Sequence, residues 1–366
     1  MRVLIVTGDM RIGGAERAAL ELVRCLDGGG RWLTVASLHR LGPMGDEFIR
    51  AGARLHEGLA PGRFEPLAVT RMAGVIRRGG IEAVIVLDPL RNGLFHALTG
   101  AALSMRPSAR ICWCHAWPGG QAGDFVRSLR AYHAVGMLDA VVCVSRAQRR
   151  ELIAGGLPRR ILPVIPNGID LAKFSSPAPS NLSLPSGKRI VVQVANVMPD
   201  KNFPTLLAAG RILAARRGDF HLVLVGRGTD GPEMVRAVAE AGLSEMTTLA
   251  GQRQDVPGIL ARANVFVLSS KRETFGLAVL EALAAGVPVV ASDLPALAEL
   301  VSHGRGGLLV PPGDPTALAV GLERLLDDTA LARRLGEEGQ RRAARFSAAE
   351  MARRFERLLR VLIRRK

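Results

Sequence analysis

Aromatic residues are scarce in this chain, 4% of 366 residues with a single tyrosine, and they do not interleave with basic residues as base-stacking surfaces require. Nucleic acid is therefore the weakest partner for a net charge of +16, and none is expected. Acidic residues are outnumbered, 33 Asp and Glu against 49 Lys and Arg, so the chain should meet phosphates of a small ligand or an anionic lipid surface. Only four cysteines occur, Cys25, Cys112, Cys114 and Cys143, with neither a C-x-x-C pair nor the His/Cys spacing of a zinc site. They read as reduced residues, several in apolar runs. No apolar run reaches the roughly 18 to 20 residues of a membrane span, since the stretch 276–292 is broken by Glu281, Gly286 and Pro288. The first residues pass from a short strand-like run into a glycine loop, which fits no signal peptide. The expectation is a cytoplasmic protein whose charge also suits a peripheral position at the inner face of the cell membrane.

The 366 residues suit two domains, and 48% hydrophobic with 22% charged residues is globular composition. Short β-branched runs alternate with helical stretches at 3–7, 33–38, 83–87, 110–114, 140–145 and 161–165. That alternation predicts a parallel sheet. It halts over 171–188, which contains Ser175-Ser176-Pro177-Ala178-Pro179-Ser180 and reads as a linker. A second series follows at 190–195, 220–225, 247–249, 265–269, 287–291 and 308–310, and predicts a second sheet. The expected domains are 1–170, the linker 171–188, 189–347, and an amphipathic helix 348–366 that packs back on the first domain. Such sheets put their ligand crevices at the carboxyl ends of the strands.

Two loops stand out. Gly8 to Arg17 follows the first strand and opens a helix, and Gly13 and Gly14 would let backbone approach an anion at that helix start. It is not G-x-G-x-x-G, so a dinucleotide enzyme is disfavoured. The second is Ser269-Ser270-Lys271-Arg272-Glu273-Thr274-Phe275-Gly276, followed by an apolar helix pattern that ends at Gly286. With a helix from Phe275 or Gly276, Glu273 lies in the loop before it and Glu281 roughly 7 to 9 Å along its axis. A diphosphate could then sit on the backbone N–H groups of Thr274, Phe275 and Gly276, with Glu281 for ribose hydroxyls and Glu273 for a sugar. On spacing alone, a loop carboxylate and a solvated helix glutamate explain the pair as well; the apolar neighbours of Glu281 argue against solvation.

The run 251–312, with Asp255-Val256, Ala263-Asn264-Val265-Phe266-Val267-Leu268-Ser269, the Glu273/Glu281 pair, Ala285-Gly286-Val287-Pro288, Glu299 and Gly307-Leu308-Leu309-Val310-Pro311, resembles family 4 of the retaining glycosyltransferases. Gly13-Gly14-Ala15-Glu16-Arg17, Val144-Ser145, Ile165-Pro166-Asn167-Gly168-Ile169-Asp170 and Asp200-Lys201-Asn202-Phe203 extend the resemblance over nearly the whole chain. It implies an α/β protein of GT-B architecture, two Rossmann-like parallel-sheet domains facing across a cleft, the first binding an acceptor and the second a nucleotide sugar. By that resemblance Glu273 contacts the transferring sugar, Glu281 the ribose and Lys201 the diphosphate; His115 contacts the donor sugar. Gly13, Gly14, Thr274, Phe275, Gly276, Arg227 and Arg253 complete the donor-binding set.

The implied reaction is transfer from a nucleotide-diphosphate sugar, of the UDP-sugar or GDP-mannose kind, to a glycan or lipid-linked acceptor in cell-surface polysaccharide or glycolipid biosynthesis. Retention by same-face attack is implied; no cofactor and no divalent metal are expected, and no D-x-D strand-end motif offers a metal site. One departure concerns the arginine that the family commonly has before the lysine: Val194-Ala195-Asn196-Val197-Met198-Pro199-Asp200 contains no basic residue. Arg227, Arg11 and Arg17 are candidates to replace it. Pro295-Ala296 also stands where the family often has glycines. Two alternatives remain at this level, a nucleotide-sugar epimerase of the same fold and a non-catalytic nucleotide-sugar or phospholipid-binding protein.

Overall fold

In a computed structural model of the chain, residues 1–8, 13–26, 33–39, 42–60, 65–87, 91–105, 108–115 and 122–365 are described. Strands β1 (Val3–Thr7), β2 (Leu33–Ser37), β3 (Arg54–His56), β4 (Ala83–Val86), β5 (Ala109–Cys114) and β6 (Ala140–Cys143) form one parallel sheet in the order β3-β2-β1-β4-β5-β6. The apolar runs dictate this. A strand covered by helices on both faces buries successive side chains, and Val3, Leu4, Ile5 and Val6 are all at most 2% exposed. Arg54–His56 was not foreseen as a strand; it is a three-residue edge with polar ends. The expected strand at 161–165 does not form. Arg159–Ile161 is a 3₁₀ turn, and only an isolated bridge joins Val164 to Cys143, because Pro163 cannot donate to a ladder.

The second sheet contains β7 (Arg189–Val194), β8 (Phe220–Val225), β9 (Thr247–Gly251), β10 (Val265–Leu268), β11 (Val289–Ser292) and β12 (Gly307–Val310), ordered β12-β11-β10-β7-β8-β9. Renumbered from its own first strand, it repeats the order of the first sheet. Each sheet therefore reverses its direction of winding next to its first strand, between β1 and β4 and between β7 and β10. Loops leaving the carboxyl ends on either side of such a point diverge and leave a crevice.

The chain divides into two compact units, Met1–Ile169 with Ser347–Lys366, and Asp170–Phe346. The helix Ala348–Ile363 thus belongs to the first unit. Ser347 caps it, its Oγ accepting from the Glu350 N–H at 3.2 Å, and Ile169 bridges to Ser347. Gly168 has no room for a Cβ against the Ser347 backbone. Phe355 lies 4.5 Å from Trp113 of β5, ring centre to ring centre, and both are fully buried. The stretch 171–188, read as a linker, is grouped with the second unit and bonded to it. Ala172–Ser175 is a short helix, Ser180 Oγ donates to Asp255 at 2.6 Å, and Arg262 donates to the Leu182 carbonyl at 2.6 Å. Among the described residues no helix is long and apolar enough to cross a membrane.

Candidate active site

In the second unit the loops after β7 and β10 leave on either side of the switch point and are tied together. The Lys271 N–H donates to the Asp200 carbonyl at 2.7 Å, and Ser269 Oγ donates to the carbonyls of Lys201 and Asn202 at 3.1 Å each. Across that seam Lys201 Nζ meets Glu273 Oε1 at 2.5 Å, and Ser270 Oγ donates to the same oxygen at 2.9 Å. Glu273 keeps only 9% of its side-chain surface and Lys201 keeps 25%. Two residues singled out from distant motifs are thus one ion pair. The sequence reading missed Ser270 as a partner of Glu273, although it stands three residues before it on the same loop.

The helix after the motif runs Leu277–Ala284, slightly shorter than expected. Gly276 precedes it with φ of 93°, a conformation that glycine adopts freely, and a Cβ there would collide with Leu297. Four helices start under a side-chain cap, at Ser145, Asp314, Asp328 and Ser347, whereas others, such as Phe203–Ala214 and Pro232–Glu240, have none. The helix Leu277–Ala284 has no side-chain cap and no acid in its first turn. The Phe275 and Gly276 N–H groups donate to no acceptor among the described residues, so the positive end of the helix stays open to an anion. Phe275 is buried, with its ring centre 6.0 Å from that of Phe346. Glu281 is 8% exposed, on the second turn.

Two arginines of the expected set behave differently. Arg227 follows β8, beside the end of β7, where its N–H donates to Asn196 Oδ1 at 3.0 Å and its carbonyl accepts from the Val197 N–H at 2.9 Å. Its side chain is exposed and enters no ion pair among the described residues. Arg253 is engaged elsewhere: Nε and Nη2 grip Asp255 at 2.8 and 2.7 Å, and Nη2 also reaches Asn181. The Asp255 carboxyl is held well below the usual carboxylate range, chiefly by this arginine. Arg253 therefore fastens the 176–182 segment to the second unit, and its fork is filled before any ligand arrives.

In the first unit, Gly13 and Gly14 open the helix Gly14–Leu26 as expected, but Glu16 brings its own carboxylate to this end. Its Oε2 lies 2.5 Å from where a Gly13 Cβ would stand. Arg11 falls outside the described residues. Arg17 sits on the same helix, its N–H donating to the Gly13 carbonyl at 3.1 Å. His115 follows the carboxyl end of β5 and packs on Trp113 at 4.5 Å between ring centres. Burial depresses its pKa to about 3, so the ring is neutral near neutral pH. Among the described residues no group of three His, Cys, Asp or Glu side chains comes together to hold a metal ion.

The chain is similar to known glycosyltransferases. The family described as "Glycosyl transferases group 1" matches residues 177–342, and "Glycosyltransferase Family 4" matches 12–173. An exopolysaccharide phosphotransferase of Streptomyces coelicolor is 36% identical over 50% of this chain and 19% of its own length. The lipopolysaccharide core biosynthesis glycosyltransferase LpsE of Rhizobium meliloti is 27% identical over 89% of each chain. Against three curated relatives the chain spans only 19%, 55% and 46% of their length. The crystal structure of Anabaena HepE in complex with UDP and glucose superposes with a TM-score of 0.85 at 19% identity, over 98% of this chain and 99% of that one. At that identity the likeness establishes the GT-B fold. The two family matches join end to end over nearly the whole sequence, and the chain belongs to the group 1, family 4 glycosyltransferases.

Proposed function

We propose that the chain transfers a sugar from a nucleotide-diphosphate donor to a glycan or lipid-linked acceptor, with retention of anomeric configuration and without a metal ion. The observation that carries this is the Lys201–Glu273 pair at the switch point of the second sheet, beside a helix start left open for an anion. Cleavage of the anomeric C–O bond puts positive charge on the sugar and negative charge on the departing diphosphate. Lys201 and the N–H groups of Phe275 and Gly276 would stabilise the diphosphate, with Thr274 beside them. Arg227, which enters no ion pair among the described residues, is the first candidate to replace the arginine missing before Lys201. Glu273, oriented by Lys201 and Ser270, would face the sugar, and Glu281 would accept from the ribose hydroxyls. His115 is neutral, so it can hydrogen-bond a sugar hydroxyl without adding charge. The acceptor would attack from the face the diphosphate leaves, handing its proton to a departing phosphate oxygen. UDP-glucose, with which HepE has been crystallised, is the first donor to try.

The experiment is incubation with UDP- and GDP-sugars and lipid-linked or free glycan acceptors, with and without a chelator. The product's anomeric configuration is read by NMR. A retained linkage formed equally with chelator supports the proposal. Inversion, loss of turnover on chelation, epimerised donor, or binding without turnover would each overturn it. Lys201→Ala should lower turnover by about a hundredfold, the scale of one lost electrostatic donor.

A further inference from the structure

The first unit holds a concavity at the end of its sheet opposite the one that leads into His115. A half-open cavity of about 670 Å³ lies at the amino ends of β1 and β2, between the helices Gly14–Leu26 and Ala348–Ile363. That volume falls in the range of small-molecule sites, about 300 to 1,000 Å³. Its floor is apolar, with Leu26, Leu33, Leu359 and Ile363; Ala352, where a larger side chain would fill the space, helps keep it open. Its rim is basic, with Arg353, Arg360 and Arg364 against the single carboxylate of Glu356.

The rim cations are available. Arg353 pairs with Glu350 and Arg360 with Glu356, both at 2.8 Å or less on exposed side chains, and such pairs contribute little that a phosphate could not replace. Arg364 enters no ion pair among the described residues. A soluble sugar phosphate would satisfy the arginines and leave the apolar floor wet, whereas a neutral lipid would leave the arginines unused. Only an anionic amphiphile matches both.

We propose that this cavity binds an anionic membrane phospholipid, an acyl chain in the trough and the phosphate against Arg360 and Arg364. The site is independent of nucleotide-sugar chemistry and stands or falls apart from it.

Cys25 provides the readout, because it lines the cavity and is exposed while Cys112, Cys114 and Cys143 are buried. The rate of Cys25 alkylation is measured on the full chain with dihexanoyl phosphatidylglycerol below its micelle concentration, with the matching phosphatidylcholine, and with glycerol 3-phosphate. Phosphatidylglycerol should slow alkylation severalfold, and the other two should not. Ile363→Glu and Arg364→Glu should each weaken that protection about fivefold or more, with unchanged circular dichroism. Ile363 is half-buried and Arg364 exposed at the helix end, so both changes should be tolerated; if either variant unfolds, the three probes on the unaltered chain still decide. Absent protection, equal protection by the choline lipid or by glycerol 3-phosphate, or undiminished protection in both folded variants overturns the proposal. Protection that instead rises with protein concentration, together with a dimer mass, would give the groove to a second copy and overturn it too.

Discussion

Lys201 and Glu273 form one ion pair, so under the proposed function a change at either should show in stability as well as in turnover. Lys201→Ala leaves a carboxylate with 9% of its surface exposed and, among the described residues, only Ser270 to satisfy it, so thermal unfolding of the second unit should show a loss of about 1 to 3 kcal/mol. Adding Glu273→Gln should recover part of that stability without recovering turnover; a double variant no more stable than Lys201→Ala would show that the pair is not coupled. Glu281→Ala should weaken nucleotide binding by about 1.5 to 3 kcal/mol, the worth of hydrogen bonds to a charged group, and calorimetry on both folded proteins checks it. His115 has a pH signature. The unfolded ring titrates near 6.5 and the folded ring near 3, so its contribution is complete above pH 6.5 and is lost as pH falls toward 3. The slope reaches about 1.4 kcal/mol per pH unit. Denaturant midpoints at pH 7.5 and 5 should fall less in His115→Phe than in the unaltered chain; an equal fall would assign the acid sensitivity elsewhere. The residues of this site were legible in the sequence as members of motifs, but their pairing was not, because Lys201 and Glu273 are brought together only by parallel strands 72 positions apart. Arg253 is the opposite case. Its partner Asp255 stands two residues away, and that proximity already offered a reason to read the arginine as structural.

At the level of elements, the strands were the most readable part because burial on both faces forces continuous apolar runs. The edge strand Arg54–His56 escaped since an edge needs no such run. The helix Leu277–Ala284 was readable as a helix, but its dependence on the backbone before it was not. Gly276→Ala must adopt φ of 93° and push against Leu297, which should cost about 1 to 3 kcal/mol and misalign the N–H groups at the helix start. Nucleotide affinity should then fall together with the melting temperature; a variant that melts as before would remove the strain argument. The amphipathic face of Ala348–Ile363 and its return to the first domain were likewise evident, whereas the side chains it would meet there were not. They include Trp113, which also carries His115, so Phe355→Leu should disturb the histidine through one intervening ring. A lower turnover for Phe355→Leu that disappears as an added effect in a His115→Ala background is the expected double-mutant result.

For the whole molecule, the division into units does not follow the order of the chain. The last helix buries Met351, Phe355, Leu359 and Leu362 in the first unit, side chains worth about 1.5 to 3 kcal/mol each. Their sum is comparable to the entire stability of a typical domain, about 5 to 15 kcal/mol. Cutting the chain after Phe346 should therefore abolish the calorimetric transition of the first unit and leave that of Asp170–Phe346. Two intact transitions in the shortened chain would show the helix to be dispensable. The same arrangement imposes an order on biosynthesis. A ribosome that has finished Ile169 must still make all of Asp170–Phe346 before Ser347 emerges, on the order of ten to forty seconds at about 5 to 20 residues per second. The second unit can close on itself during that interval, whereas the first waits with the side of Trp113 that Phe355 will cover open to solvent. The unit translated first is thus the one completed last, and a nascent chain stalled in between carries an unfinished apolar surface for any chaperone at the tunnel exit.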